Sequence, residues 1–176
     1  NWHDWSSDVC SSDLFASKKN IPMKTLVSWI AFNNDFTSEG KIDTITSPNY
    51  QFHKHFWQYD RHLLISQSSG DDNRMVRLTA CLRHDFPDHK IEEVYLNIED
   101  VISLPEIKGK IEALLMKHFD ETLDIFFSPG TSIMQLAWYI CHTTSGLNTR
   151  LLQLRPASKS KTGIPELNEI QMERSD

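Results

Sequence analysis

The fold of this chain is decided by residues 124–140, which read Asp124-Ile-Phe-Phe-Ser-Pro-Gly-Thr-Ser-Ile-Met-Gln-Leu-Ala-Trp-Tyr-Ile140. Ile125 to Phe127 form a short apolar run that is typical of a buried strand. Ser128 to Thr131 make a polar turn, and an apolar helical segment follows at once. Such a unit points the free N–H groups of the helix's first turn at whatever lies in the turn. This stretch therefore predicts a strand, a turn suited to an anion and a helix, and it contains no nucleophile–base pair.

Strand and helix patterns alternate on both sides of this unit. Strand patterns occupy 24–32, 61–67, 91–98, 149–154 and 166–172, and helix patterns occupy 49–57, 72–85 and 105–119. Strands that alternate with helices of this length are typical of an α/β layered fold. The sequence therefore predicts a mainly parallel sheet of about six strands with helices on its faces.

Length and composition exclude several classes of protein. The 176 residues suffice for one domain with a real core, and a formal charge of −6 argues against broad nonspecific nucleic-acid binding. The apolar runs are too short for a bilayer-spanning helix. Because the chain has no signal peptide, Cys-x-x-Cys or other metal-ligand spacing, we expect a cytoplasmic protein without a metal or cofactor.

The first residues have the character of a leader. Residues 4–14 repeat Ser-Ser-Asp and translate a common sequencing-adapter string, so we interpret residues 1–22 as adapter-derived. A disordered natural leader is the alternative, and on the first interpretation the native start is Met23. The domain is then predicted over 23–173, with 174–176 as the start of a missing downstream region.

Two loops qualify as ligand sites, since ligands in α/β sheets bind beyond the carboxyl ends of the strands. The first loop offers polar side chains in Asn33, Asn34 and Asp35, although these residue types also simply favour turns. The second loop runs from Ser128 to Ser132. There Gly130 permits close approach of a ligand, and Thr131 and Ser132 add hydroxyl groups. An ordinary strand–helix turn with a Thr or Ser cap is the alternative.

Two further clusters carry charge or metal-binding side chains. Arg150, Arg155, Lys159 and Lys161 follow one another without an acidic residue, so they indicate either a patch for a phosphodiester backbone or a solvated linker. His53 and His55 would share a face only on a strand, so ordinary histidines on a helix surface are the preferred interpretation.

The run FFSPGTSIMQLAWYI, followed by NTRLLQLRP, resembles the CRISPR-associated Rossmann-fold (CARF) sensor domain. It is most similar to the N-terminal domain of sigma-54-dependent regulators of RNA-repair operons. In that family a strand ends in a Thr/Ser-x-Gly-Thr turn and the next strand reads Arg-Leu-Leu-Gln. Here those positions are Ser128, Gly130, Thr131 and the stretch from Arg150 to Gln153. The resemblance extends over residues 24–172.

The resemblance implies a Rossmann-like domain that forms a homodimer and binds a cyclic oligoadenylate or an RNA-end nucleotide. It further implies control of a downstream sigma-54 activator module. The ligand-binding residues carried over from the family would then be Asn33, Asn34, Asp35, Ser128, Pro129, Gly130, Thr131 and Ser132. Lys159 and Lys161 match no motif of the family, and we expect them to add positive charge to the same site. Two alternatives stay open. One is the sensor domain of a CRISPR-linked ribonuclease, and the other is a ring-opening phosphodiesterase. No catalytic residue is predicted.

Overall fold

The computed structural model describes residues 21–171. Most of the predicted leader and the last residue of the predicted sixth strand lie outside this range. The strands are β1 (Lys24–Trp29), β2 (Arg61–Ser66), β3 (Ile91–Tyr95), β4 (Thr122–Phe126), β5 (Thr149–Arg155) and β6 (Glu166–Glu169). The helices are α1 (Pro48–Phe56), α2 (Asn73–Asp85), α3 (Leu104–Met116) and α4 (Ser132–Thr144), with a short 3-10 turn at Ala157–Lys159.

The strands form one sheet in the order β3-β2-β1-β4-β5-β6. All neighbouring pairs from β3 to β5 are parallel, and β6 alone runs antiparallel to its neighbour β5. This confirms the predicted Rossmann-like α/β fold with a mainly parallel sheet. The order reverses direction between β1 and β4, so the carboxyl ends of these two strands flank the crevice where such folds place ligands.

Helices cover both faces of the sheet. On one face α3 and α4 pack against β1, β2, β4 and β5, and the indole rings of Trp29 and Trp138 lie 6.2 Å apart at its centre. On the other face α2 packs over β2 and α1 packs over β1 and β4. Because helices cover both faces of the central strands, every residue of β1 and β2 after the first is buried.

Several element boundaries differ from the predicted ones. β1 ends at Trp29 and β3 ends at Tyr95, three residues short of the predicted ends in both cases. The chain leaves β3 through Asn97, whose φ of 48° is incompatible with a continuing strand. Ile30 and Ala31 beyond β1 are buried and Leu96 and Ile98 beyond β3 are partly buried, all of them in loops. Hydrophobic pattern alone does not separate such loop residues from a strand.

A buried ion pair joins β4 to β5 below the predicted turn. The Asp124 carboxylate is fully buried and accepts two hydrogen bonds from the Arg150 guanidinium, at 2.9 and 2.6 Å. The Tyr59 hydroxyl donates to the same carboxylate at 2.7 Å. Of the two interpretations left open for the basic run, the phosphate-binding patch is disfavoured for Arg150, because its guanidinium pairs with Asp124.

We expect the Arg150→Gln variant to lose about 3 kcal/mol of unfolding free energy, because it leaves the buried Asp124 carboxylate without its charged partner. The matched variant Arg155→Gln, on the exposed end of the same strand, should lose less than about 0.5 kcal/mol. Urea unfolding followed by circular dichroism measures both. Equal losses in the two variants would contradict this assignment.

Candidate functional site

The loops after β1 and β4 meet at the carboxyl edge of the sheet, because these two strands are neighbours there. The helices that follow them diverge, since α1 lies on one face of the sheet and α4 on the other. A cavity of about 450 Å³ opens beside the two loops, and we call it the switch-point cavity. Its lining residues are Asn34, Ile45, Thr46, Pro48, Ser128, Leu154, Pro156, Ala157, Ser158 and Lys159.

Three of the residues predicted from sequence therefore lie around one cavity. Asn34 comes from the first loop, Ser128 from the turn after β4, and Lys159 from the 3-10 turn after β5. Asn34 and Ser128 are more than 90 positions apart along the chain, and Ser128 and Lys159 are more than 30 apart. The structure thus brings together side chains that are distant in sequence. They supply an amide, a hydroxyl and an ammonium group beside the apolar walls formed by Ile45 and Leu154.

Ser128 is held in place by its neighbours in the sheet. Its Oγ accepts a hydrogen bond from the Leu154 backbone N–H at 2.8 Å, and its carbonyl accepts one from the Gln135 side-chain amide at 3.1 Å. Because Oγ acts as an acceptor in the first of these bonds, the hydroxyl proton is available for donation. Ser128 can therefore donate to a ligand without giving up the contact that positions it.

The other residues of the turn take structural roles. Thr131 caps α4 by accepting the Met134 backbone N–H, and Ser132 begins the helix with an exposed side chain. Pro129 is buried. Gly130 has a φ of 109°, and a Cβ there would lie 3.1 Å from the Met134 sulfur. None of these residues is among those that line the switch-point cavity. The positive φ and the contact with Met134 of α4 both favour glycine at position 130.

Asp35 also differs from its predicted role. Its carboxylate is fully buried and accepts hydrogen bonds from the Ala31 N–H at 2.7 Å and the Asn49 side-chain amide at 2.8 Å. The Ser47 hydroxyl and the Asn49 N–H donate to the other oxygen. Burial raises the pKa of this carboxyl, while the hydrogen bonds oppose the rise. Asp35 therefore fixes the first loop from inside and does not face the cavity.

A buried chain of hydrogen bonds continues from Asp35 across the sheet. The Asn49 amide nitrogen faces only acceptors, Asp35 and the Trp29 carbonyl, so its oxygen must accept the bond from the Ser28 hydroxyl at 2.7 Å. Ser28 Oγ then has to accept from His62 Nε2, also at 2.7 Å. This fixes His62 as the Nε2-protonated tautomer.

The same hydrogen-bond argument assigns the protonated ring nitrogens of His53 and His89. His62 Nδ1 accepts from His53 Nε2 at 2.8 Å, and His53 Nδ1 accepts from His89 Nδ1 at 2.9 Å. His89 precedes β3, so the chain runs from the amino edge of the sheet to the loop at its carboxyl edge. Burial lowers the pKa of His53 to about 2 and that of His62 to about 3. Both rings are therefore neutral at physiological pH.

This histidine chain corrects the interpretation of His53 as a surface residue. Asn49, His53 and Trp57 lie four positions apart and form one stripe along α1, and Trp57 stacks on His89 with ring centroids 4.1 Å apart. The sequence does contain a signal for this arrangement. Ser28 and His62 interrupt two apolar strand runs, and a polar group in a buried strand requires a partner.

The remaining predicted residues lie elsewhere. Lys161 is exposed and lies beyond the residues that line the switch-point cavity. Asn33 lines a second cavity of about 470 Å³, together with Arg74 and Arg77 of α2. Within residues 21–171, no group of three or more His, Cys, Asp or Glu side chains is arranged to hold a metal ion. In the same range no helix is long and apolar enough to cross a membrane.

Comparison with known proteins identifies a structural neighbour. No model of a protein family matches the chain. No curated protein matches it either. Among solved structures, the chain is similar to Enterococcus italicus Csm6 bound to cyclic hexa-2'-fluoro-hexa-dAMP, with a TM-score of 0.59 and 18% sequence identity. The match covers 80% of this chain and 36% of Csm6. The likeness shows a shared Rossmann-like fold, and the relationships to CARF sensor domains and to sigma-54 regulators stay predictions.

The histidine chain makes stability depend on pH. The unfolded state takes up protons on histidines near pH 6.5, whereas folded His53 and His62 stay neutral. We therefore expect a constant melting temperature above about pH 7.5 and a falling one between about pH 7 and 5.5. Differential scanning calorimetry of wild type, His53→Gln and the exposed control His55→Gln measures this dependence. The fall should be smaller in His53→Gln, and identical slopes in both variants would argue against the buried chain.

Proposed function

We propose that this chain is a ligand-sensing domain that binds a cyclic oligoadenylate in the switch-point cavity. The observation that carries the proposal is the convergence of Asn34, Ser128 and Lys159 on one cavity at the carboxyl edge of β1 and β4. The likeness in fold to a protein solved with a cyclic adenylate analogue supports the choice of ligand. An RNA-end nucleotide carries the same phosphate chemistry and is the second ligand class that we consider.

The chemistry of the cavity fits a nucleotide. The Lys159 ammonium group can pair with a phosphodiester oxygen, and charge-assisted bonds of this kind are the strong ones. The Ser128 hydroxyl and the Asn34 amide can orient the sugar or base. The aliphatic surfaces of Ile45 and Leu154 offer apolar area against which a base packs. With a net charge of −6 on the chain, such binding depends on the local arrangement and not on a broad basic surface.

The lining of the cavity favours binding over cleavage. Opening a cyclic oligonucleotide by attack of its own 2'-hydroxyl requires a base to accept the proton from that hydroxyl. The described residues around the cavity include no His, Asp or Glu side chain. We therefore rank a ring-opening phosphodiesterase below a sensor that binds its ligand without turnover.

We propose that the domain works as a homodimer through the outer face of α4. Leu136 and Tyr139 are 46% and 43% exposed on this helix, although its other face is fully buried in the core. Because α4 begins four positions after Ser128, a second copy packed at the amino end of this helix would approach the turn that borders the cavity. A ring of repeating adenylates is larger than one cavity of about 450 Å³, and two symmetry-related cavities can share it.

We also propose that the domain controls a downstream effector module. The resemblance around residues 124–156 favours a downstream sigma-54 activator, and the similarity in fold to Csm6 favours a CRISPR-linked ribonuclease as the alternative. Either assignment places the protein in the cytoplasm. Domains encoded in the same gene would distinguish them, since an AAA+ ATPase motif supports the first and a nuclease motif supports the second.

We expect cyclic oligoadenylates to bind the purified chain, and the Lys159→Gln variant to bind them roughly tenfold more weakly, because one charge-assisted contact is lost. The matched control Lys117→Gln removes the same charge from the amino edge of the sheet and should keep wild-type affinity. Isothermal titration calorimetry measures all three proteins, with cyclic-phosphate-ended RNA as the comparison ligand. Failure of the folded chain to bind either ligand class would refute the proposal.

The dimer has its own test. We expect sedimentation velocity to give a dimer for the wild-type chain and a monomer for Leu136→Glu/Tyr139→Glu, since two carboxylates cannot be buried in an apolar interface without partners. Val76→Glu, at a comparably exposed position on α2, serves as the control and should stay dimeric. A wild-type chain that remains monomeric with and without ligand would contradict this arrangement.

A further inference from the structure

A second cavity lies beside the first loop and has a different chemical character. Its volume is about 470 Å³, and we call it the arginine cavity. Its lining residues are Phe32, Asn33, Phe36, Thr37, Ser38, Gly40, Arg74 and Arg77. It therefore combines two guanidinium groups of α2 with hydroxyl and amide groups from the segment after β1.

The position of Arg77 is built into the fold. Its Nη1 donates a hydrogen bond to the Gly40 carbonyl at 3.0 Å. Gly40 has a φ of 80°, and a Cβ there would lie 3.1 Å from the same Nη1. The positive φ favours glycine at this position, and a side chain there would also displace the Arg77 guanidinium by a few tenths of an ångström. The contact uses one of five N–H donors of Arg77, so the others remain for a ligand.

The opposite wall of the arginine cavity is a small closed loop. An antiparallel bridge joins Phe36 to Ile42, and the Thr37 N–H donates to the Lys41 carbonyl at 2.7 Å. The Gly40 N–H donates to the Thr37 carbonyl at 2.9 Å. These bonds fix the loop, so the hydroxyl-bearing residues of the wall are held in place opposite α2.

The guanidinium groups have no carboxylate within ion-pair distance in the part of the chain that the structure describes. Arg74 lies 5.0 Å from the ring centroid of Phe32 and makes a cation–π contact. Both arginines are exposed on α2, the Asp72 carboxylate caps that helix and accepts from the Ser66 hydroxyl, and the exposed Glu39 lies 3.9 Å from Lys41. Two positive charges in a polar cavity of an acidic protein therefore lack an anion.

We propose that the arginine cavity binds a phosphate group. Two planar guanidinium groups with neighbouring hydroxyls match the oxygens of a phosphate, which arginine recognises through paired hydrogen bonds. The group comes either from a phosphomonoester or from a phosphodiester strand. Asn33 and Asn34 are adjacent and line the two different cavities, so a strand along the carboxyl edge can reach both. The proposal does not depend on the ligand of the switch-point cavity.

Titration of the full chain followed by ¹H–¹⁵N NMR tests the proposal. Inorganic phosphate at constant ionic strength should shift the amides of 33–40 and 74–77, and Arg74→Gln/Arg77→Gln should weaken this binding at least about tenfold. Lys54→Gln/Lys90→Gln removes the same charge from exposed positions and should bind phosphate like wild type. Ser38→Glu, which leaves both arginines in place, should also abolish binding through repulsion.

A second ligand identifies the source of the phosphate. A linear adenylate trinucleotide without terminal phosphates offers phosphodiesters alone. If it shifts the same amides, the cavity accepts a strand, and if inorganic phosphate alone does so, the cavity accepts a monoester. Absence of shifts with both probes overturns the proposal. Undiminished phosphate binding by folded Arg74→Gln/Arg77→Gln or by Ser38→Glu overturns it as well.

Discussion

The buried carboxylate of Asp35 is the constraint on which the rest of the site depends. It accepts hydrogen bonds from Ala31, Ser47 and Asn49, so it joins the end of β1 to the start of α1. By facing the amide nitrogen of Asn49, it orients the chain of hydrogen bonds that ends at His89. The loop that carries Asn33 and Asn34 is thereby held open at the carboxyl edge, with one asparagine on each cavity.

The sheet order explains why binding groups gather at this edge. Parallel strands place all their outgoing loops on one side, and the reversal of order between β1 and β4 opens a crevice there. The positively charged side chains differ in the same way between the inside of the sheet and its carboxyl edge. Arg150 forms an ion pair with Asp124 inside the sheet. Lys159, Arg74 and Arg77 instead line the two cavities. An acidic protein thus places three of its cations beside cavities that an anion can enter.

The sequence predicted the fold well because hydrophobic period and turn residues are local signals. The strand–turn–helix at 124–140, the alternation of elements and the two candidate loops all follow from such patterns. The direction of individual side chains was less predictable. Asp35 and Arg150 carry charges that suggested a ligand, but Asp35 accepts hydrogen bonds from Asn49 and Arg150 forms an ion pair with Asp124. His53 was misjudged for the same reason, since its partners His62 and His89 come from other elements.

We propose that the switch-point cavity is the ligand site of this chain. Hydrogen–deuterium exchange with and without a cyclic oligoadenylate reports where binding protects the backbone. We expect slower exchange in 31–36, 126–131 and 154–159, which carry the loops around the cavity, and unchanged exchange at the amino edge of the sheet. Protection confined to other segments, with these three unaffected under saturating ligand, would contradict it.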